Sequence, residues 1–194
     1  MANGKLAYVN GEPISREAVQ FEFDRLVKFY SSHGMGAEEL KKNVEKLLAK
    51  AQEQAIGAKL LLARAAELDV KVSDEAIQKQ LDQVVSQVGG RDNFAKALAA
   101  QKISEDDFRK ELAKGCRVDA LVAQACSGVP EPTEEEIEAY FAANKDGFAG
   151  EDGTPATLVD VHDAIRDLLR HERRGVALDA FVEELREKAK IEYR

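Results

Sequence analysis

Three histidines and two cysteines are the side chains best suited to nucleophilic, acid–base or metal chemistry in this sequence. His162 and His171 lie in one stretch of helical periodicity. They point in similar directions but sit about 13 Å apart along a helix axis, which rules out a shared metal. His33 stands alone in a Ser-Ser-His-Gly-Met-Gly loop. All three read as surface histidines. Cys116 and Cys126 read as two small buried apolar residues on one helix, about 15 Å apart. A disulfide needs Cα atoms within about 7 Å, so these two do not pair there. Cys116 has no histidine near it in sequence to act as a base. The carboxylates Asp106 and Asp107 are explained by capping, since acidic residues suit the first turn of a helix. There is no phosphate-binding loop, no dinucleotide fingerprint and no zinc-ligand spacing. The expectation is a protein with no catalytic residues, no metal and no cofactor.

Binding chemistry is better represented. Phe21, Phe29, Tyr30 and Met35 gather in and just after the first helical segment. Phe21 lies off the apolar row set by Val19, Phe23 and Leu26, so it is either exposed or faces a second helix. A flexible methionine beside aromatic rings suits promiscuous apolar contacts. Core packing is the competing explanation for these four.

The elements that must position them follow from hydropathy and caps. Lys5–Val9 is a short strand candidate, and Asn10-Gly11 is a strong two-residue turn signal. Ser15 caps a helix to about Tyr30. A second helix is predicted from about Ala37 to Leu68, with alanines in its middle that permit close packing. Ser73, Ser104 and Thr133 each open a further helix, the last in a capping box with Glu136. Gly89-Gly90 ends one of these helices. Ser127–Pro132 reads as the clearest linker, and residues 144–155 as a loop. From Thr157 a long amphipathic helix carries Leu158, Val161, Ile165, Leu168 and Leu169, then Leu178, Phe181, Val182, Leu185 and Ala189. Its apolar register slips around Gly175, and a strand-like Ile191-Glu192-Tyr193 follows. The expected cover for its stripe is the helical N-terminal part of the chain, so that the body is closed by its own C-terminus. At 1.5 Å per residue the two long helices would each run about 48 Å. A sphere of this many residues is about 42 Å across, so an elongated body with arms or a cleft is expected.

Composition bounds the class. The chain has 194 residues, 44% apolar and 33% charged, with 6% aromatic and no Trp. A core is attainable at this length without disulfides or metal. The net charge of −8 disfavours nucleic acid as a main partner, because phosphate binding needs clustered Lys and Arg. No apolar run approaches the roughly 20 residues of a membrane span. The first five residues lack the basic and apolar regions of a signal peptide, which leaves a cytoplasmic location open.

Several stretches together resemble the SurA- and PrsA-type chaperones. The opening Tyr8-Val9-Asn10-Gly11-Glu12-Pro13-Ile14-Ser15 is similar to theirs. So are Leu60-Leu61-Leu62-Ala63-Arg64-Ala65-Ala66-Glu67-Leu68-Asp69-Val70 and Ile103-Ser104-Glu105-Asp106-Asp107-Phe108. Pro132-Thr133-Glu134-Glu135-Glu136-Ile137 and the closing Phe181-Val182-Glu183-Glu184-Leu185 to Tyr193 complete the series in family order. In that family a helical chaperone module flanks a parvulin prolyl isomerase domain. Here only about residues 147–156 occupy the place of that domain, and its histidine and glycine-rich segments have no counterpart.

The resemblance implies the chaperone module alone. The expected fold is mostly α: an elongated multi-helix module closed by a long C-terminal helix, with a small β element pairing Lys5–Val9 with Ile191–Tyr193. The expected organisation is 1–130 as the N-terminal helical module, 131–156 as the helix and short loop at the parvulin position, and 157–194 as the completing helix and strand. The implied function is ATP-independent binding of unfolded or exported polypeptides, without prolyl isomerase activity. A cleft between the N-terminal helices and the closing helix would hold the extended client, and Phe21, Phe29, Tyr30 and Met35 are the candidate client-binding residues. The alternative is a degenerate isomerase relative acting as a scaffold or assembly factor, including a homodimer that exchanges its closing helix. The family is exported, so periplasm or cell envelope is the implied location.

Overall fold

The computed structural model describes residues 6–148 and 156–194. Two compact units emerge: Met1–Val122 together with Val182–Arg194, and Ala123–Phe181.

In the first unit, strand β1 (Ala7–Val9) turns back into β2 (Glu12–Pro13). Asn10 and Gly11 make the turn with φ of 52° and 86°. Two successive left-handed residues give the hairpin twist that matches paired strands, which is why Asn-Gly stands there. Strand β3 (Ile191–Tyr193) pairs antiparallel with the other edge of β1, with Ala7 opposite Tyr193 and Val9 opposite Ile191. Leu6 and Arg194 exchange both backbone hydrogen bonds, at 2.7 and 3.0 Å. The predicted pairing of the terminal segments is therefore present from Leu6 onward, and Lys5 lies outside the described residues.

Helix α1 (Arg16–Ser32) begins at Ser15, whose hydroxyl accepts from the Ala18 N–H at 3.1 Å. The single helix expected over 37–68 is two: α2 (Ala37–Lys42) and α3 (Val44–Glu67). The break is at Asn43, whose φ is −102° and whose side-chain amide donates to the Glu39 carbonyl at 2.9 Å. An asparagine that bonds locally to the backbone competes with the helical ladder. The apolar row runs on across this break, so periodicity alone did not expose it. At 24 residues α3 is about 36 Å long rather than 48 Å.

Residues Ala7, Val9, Ile14, Val19, Leu26, Leu47, Ala51 and Ile56 form the core between sheet, α1 and α3, and Leu185, Ala189 and Ile191 pack onto it from the C-terminal segment. A smaller cluster joins α4 (Asp74–Gln87), α5 (Arg91–Gln101) and α6 (Glu105–Ala125). Leu81, Phe94 and Leu98 are buried there, and the Phe94 and Phe108 rings meet edge-on at 5.2 Å.

The second unit holds the end of α6, helix α7 (Glu134–Ala143), a 3-10 turn (Lys145–Phe148) and most of α8 (Leu158–Lys188). Thr133 and Glu136 form the predicted capping box, and Cys126, Ile137 and Ile165 are buried. The Ser127–Pro132 segment is strapped to α8: Arg173 donates to the Pro130 and Glu131 carbonyls at 3.2 and 3.1 Å, and Arg170 pairs with the Glu131 carboxylate at 2.7 Å. His162 is a surface histidine with a partner that the sequence did not suggest. It is partly covered, and its Nε2 lies 2.6 Å from a Glu134 oxygen. Hydrogen bonding to Glu134 and then to Asp163 raises its pKa.

Helix α8 runs unbroken through Gly175. The slip in its apolar register marks a change of duty along one helix. Ile165 is buried in the second unit, whereas Val182 onward belongs to the first. Only that last part meets the N-terminal core as expected. Val159, Leu168 and Val176 are exposed.

Candidate binding groove

An open, mostly apolar groove of about 710 Å³ lies in the first unit. Helix α1 presents Ala18, Phe21 and Glu22 to it, a set at helical i, i+3, i+4 spacing. Helix α3 supplies the floor through Ala55, Ala58, Leu62 and Ala66, each again three or four residues on from the last. The alanines that promised close packing serve two ends here. Ala51 and Ala55 are buried in the core, while Ala58, Ala63 and Ala66 leave the floor low and wide. Close packing falls at Gly57, where an added Cβ would stand 3.4 Å from the Val182 side chain. Pro13 and Ile14 border the groove at the sheet, and Lys114 and Arg117 border it from α6.

Its apolar surface is open to solvent: Phe21 is 63% exposed and Leu62 43%. Its charges are largely matched. Lys59 pairs with Glu12 at 2.8 Å and donates to the Pro13 carbonyl at 3.4 Å. The hydrogen bond from Lys59 holds the Glu12 carboxyl below its ordinary pKa. Glu22, almost wholly buried, pairs with Arg25 at 2.9 Å, and that guanidinium lies 6.0 Å from the centre of the Phe21 ring. No histidine or cysteine lines the groove. Cys116, nearby in sequence on α6, is buried, and burial pushes its thiol pKa up, away from the nucleophilic thiolate. Among the described residues no group of three or more His, Cys, Asp or Glu side chains is placed to hold a metal ion. Open apolar surface edged by a few charged side chains suits the holding of an apolar ligand.

Of the four residues singled out from the sequence, Phe21 lines this groove and the other three do not. Phe29, Tyr30 and Met35 come together at the far end of α1, about 12 Å along the axis from Phe21. Phe29 is exposed, with the Tyr30 ring edge-on at 5.4 Å and the His33 ring at 4.2 Å. Tyr30 packs on the core, and the Lys50 ammonium donates to its hydroxyl at 3.2 Å. Met35 is half-buried and its N–H donates to the Tyr30 carbonyl at 3.0 Å. Leu62, Ala58, Lys114 and Arg117 were missed. The available signal was Leu60-Leu61-Leu62: three consecutive leucines on a helix cannot all face one core, and Leu62 is the one turned out.

The SurA-like N-terminal domain family matches residues 1–122. The chain belongs to this family. Every described residue that lines the groove, from Glu12 to Arg117, lies inside the SurA-like domain so matched. The fold is also similar to a solved structure from a study of two structurally related SurA-like chaperones of Campylobacter jejuni, the virulence factor PEB4 and the periplasmic protein Cj1289. The likeness covers 98% of each chain with a TM-score of 0.57 at 15% identity, and at that identity it speaks for the fold. No curated protein matches by sequence. The SurA-like domain of this chain is completed by residues beyond the matched span, because β3 supplies one of the three strands of its sheet.

Proposed function

We propose that this protein is an ATP-independent chaperone that holds unfolded or exported polypeptides in the groove of its SurA-like domain, without prolyl isomerase activity. One observation carries the reading: an open apolar groove, with Phe21 and Leu62 turned out to solvent, set in a domain of this family. Exposed apolar surface gathered in one place marks a binding site. Low alanine walls beside a few large side chains suit extended segments of varied sequence. The cluster of Phe29, Tyr30 and Met35 is a second apolar contact for the same client. In organisation, 1–130 is the binding module, 131–156 the segment at the parvulin position (residues 149–155 of it lie outside the described residues), and 157–194 the segment that completes the module. The periplasm or cell envelope is the proposed site of action, in keeping with the SurA-like relatives, one of them described as periplasmic. Among the described residues no helix is long and apolar enough to cross a membrane.

The test is aggregation of a chemically denatured client, followed by light scattering with and without ATP. The intact chain should suppress scattering at near-equimolar ratio, indifferent to ATP, and Leu62→Asp should lose most of that effect while keeping its helical circular dichroism. No suppression by the intact chain at molar excess would sink the reading. A parallel assay on a proline-containing peptide should give no catalysed isomerisation.

A further inference from the structure

We infer that the groove selects apolar client segments that carry acidic side chains, with Arg117 and Lys114 of α6 as the residues that read the charge. This rests on the chaperone reading above and adds a direction to it. The whole chain carries a net charge of −8, yet among the described residues the groove is lined by three cations, Lys59, Lys114 and Arg117, against two carboxylates, Glu12 and Glu22. Both carboxylates are spent locally. Glu12 pairs with Lys59, and Glu22, buried beneath the wall, pairs with Arg25. Among the described residues Lys114 pairs only with Glu111, one turn back on its own helix, with both side chains more than half exposed. Such a pair is weak and readily exchanged for a better partner. Arg117 makes no ion pair among the described residues. It lends a small attraction to the Asp69 carboxylate, which is itself paired with Lys71. Lys114 and Arg117 are three residues apart and therefore share a face of α6, beside the apolar floor.

The backbone of the groove supports recognition by side chains rather than by strand addition. Pro13 at the groove mouth has no N–H, and its carbonyl already accepts from Lys59. An edge strand so occupied is a poor template for another strand. A client segment therefore lays its apolar side chains over Leu62 and Phe21 and turns a carboxylate toward Arg117 and the weakly paired Lys114 on α6. A basic flank meets those same cations as like charges, so the acidic character of the chain as a whole does not translate into a taste for basic clients.

Three labelled peptides test this. They share one apolar core and are flanked by Asp, by Asn or by Lys, and their affinities are read by fluorescence anisotropy at low and at near-physiological salt. The Asp-flanked peptide should bind about three- to tenfold more tightly than the Asn-flanked one, as two exposed pairs would give, with the gap narrowing in salt. Arg117→Glu, a change at an exposed position, should abolish or invert that order, and Leu62→Asp should weaken all three peptides. Equal affinities for the three peptides, or an unchanged order in Arg117→Glu, would overturn the charge selection and leave the groove intact as the binding site. Tightest binding of the Lys-flanked peptide would overturn it likewise. Binding that Leu62→Asp leaves untouched would instead remove the groove reading, and charge selection with it.

Discussion

The Tyr193 hydroxyl donates to a Glu53 carboxylate oxygen at 3.0 Å, across 140 positions of sequence. Arg186 reaches the same carboxylate from α8. Glu53 on α3 thus gathers the closing helix and the closing strand at a single point, next to the backbone pairing of β1 with β3. Glu53→Ala should lower the unfolding free energy of the first unit by about 1 kcal/mol, since both partners are partly solvated. Removal of residues 191–194 should do far more, exposing Ala7 and Val9 and stripping β1 of one of its two neighbours. Urea titrations followed by circular dichroism separate these outcomes. A shortened chain with an unchanged midpoint would mean that the terminal strand is dispensable.

Gly57 offers a sharper test of how tightly α8 is seated. An added methyl would meet the Val182 side chain at 3.4 Å, an ordinary contact distance. Alanine there gains helix propensity, about 1 kcal/mol over glycine in a helix interior. Gly57→Ala should therefore be neutral or stabilising. Gly57→Leu has to push Val182 aside and should destabilise by about 1–3 kcal/mol. Thermal melts of the two variants read the difference directly. Two variants of equal stability would show that α8 is not packed against this face.

His162 gives the second unit a pH dependence whose sign is fixed. Its neighbours are the carboxylates of Glu134 and Asp163, which favour the imidazolium, and the Arg166 guanidinium, which opposes it. The net effect raises the folded pKa above the unfolded one. The stabilisation is fully present below the ordinary histidine value, near pH 6.5, and is lost as pH rises through the raised folded value. Amide exchange in α7 should quicken as pH rises from about 6.5 through the raised folded value, beyond the intrinsic base dependence. His162→Gln should flatten that excess. An excess that persists in His162→Gln would assign the effect to another group.

The two apolar sites on α1 are separable by mutation. Phe21→Asp and Leu62→Asp should each cut suppression of aggregation several-fold, because both residues line the groove. Phe29→Ser should cut it less, since Phe29 stands outside the groove with His33 against its ring. The three variants compared at one client ratio decide which site holds most of the client. A larger loss from Phe29→Ser would move the principal contact to the far end of α1.

Features written in a few adjacent residues were legible from sequence. Ser15, Ser73 and Ser104 each accept the capping N–H expected of them, and Asn10-Gly11 makes its turn. At Thr157 the helix opens as expected, but there the Asp160 carboxylate accepts from both the Thr157 N–H and its hydroxyl. The pairing of the terminal strands was legible through family order, not through the strands' own composition. What stayed hidden depended on partners distant in sequence. Asn43 breaks a helix without disturbing its apolar row. Glu134 lies 28 positions from His162, and no local pattern announces that they meet. The groove is hidden for the same reason. Ala51 and Ala58 are identical in sequence, and only the placement of α1 and α6 makes one a core residue and the other a floor. Phe21 was found because it broke a periodic row, whereas Arg117 interrupts nothing.

The discontinuity of the first unit also sets a clock. Its sheet needs Tyr193 beside Ala7 of strand β1, made 186 positions earlier. At about 5–20 residues per second, roughly 6 to 25 seconds of synthesis separate α3 from its last partner. During that interval Ala7, Val9 and Ile14 have no finished core to enter. The nascent protein is thus for a time an incomplete polypeptide with exposed apolar segments, the same kind of molecule it is proposed to hold once complete.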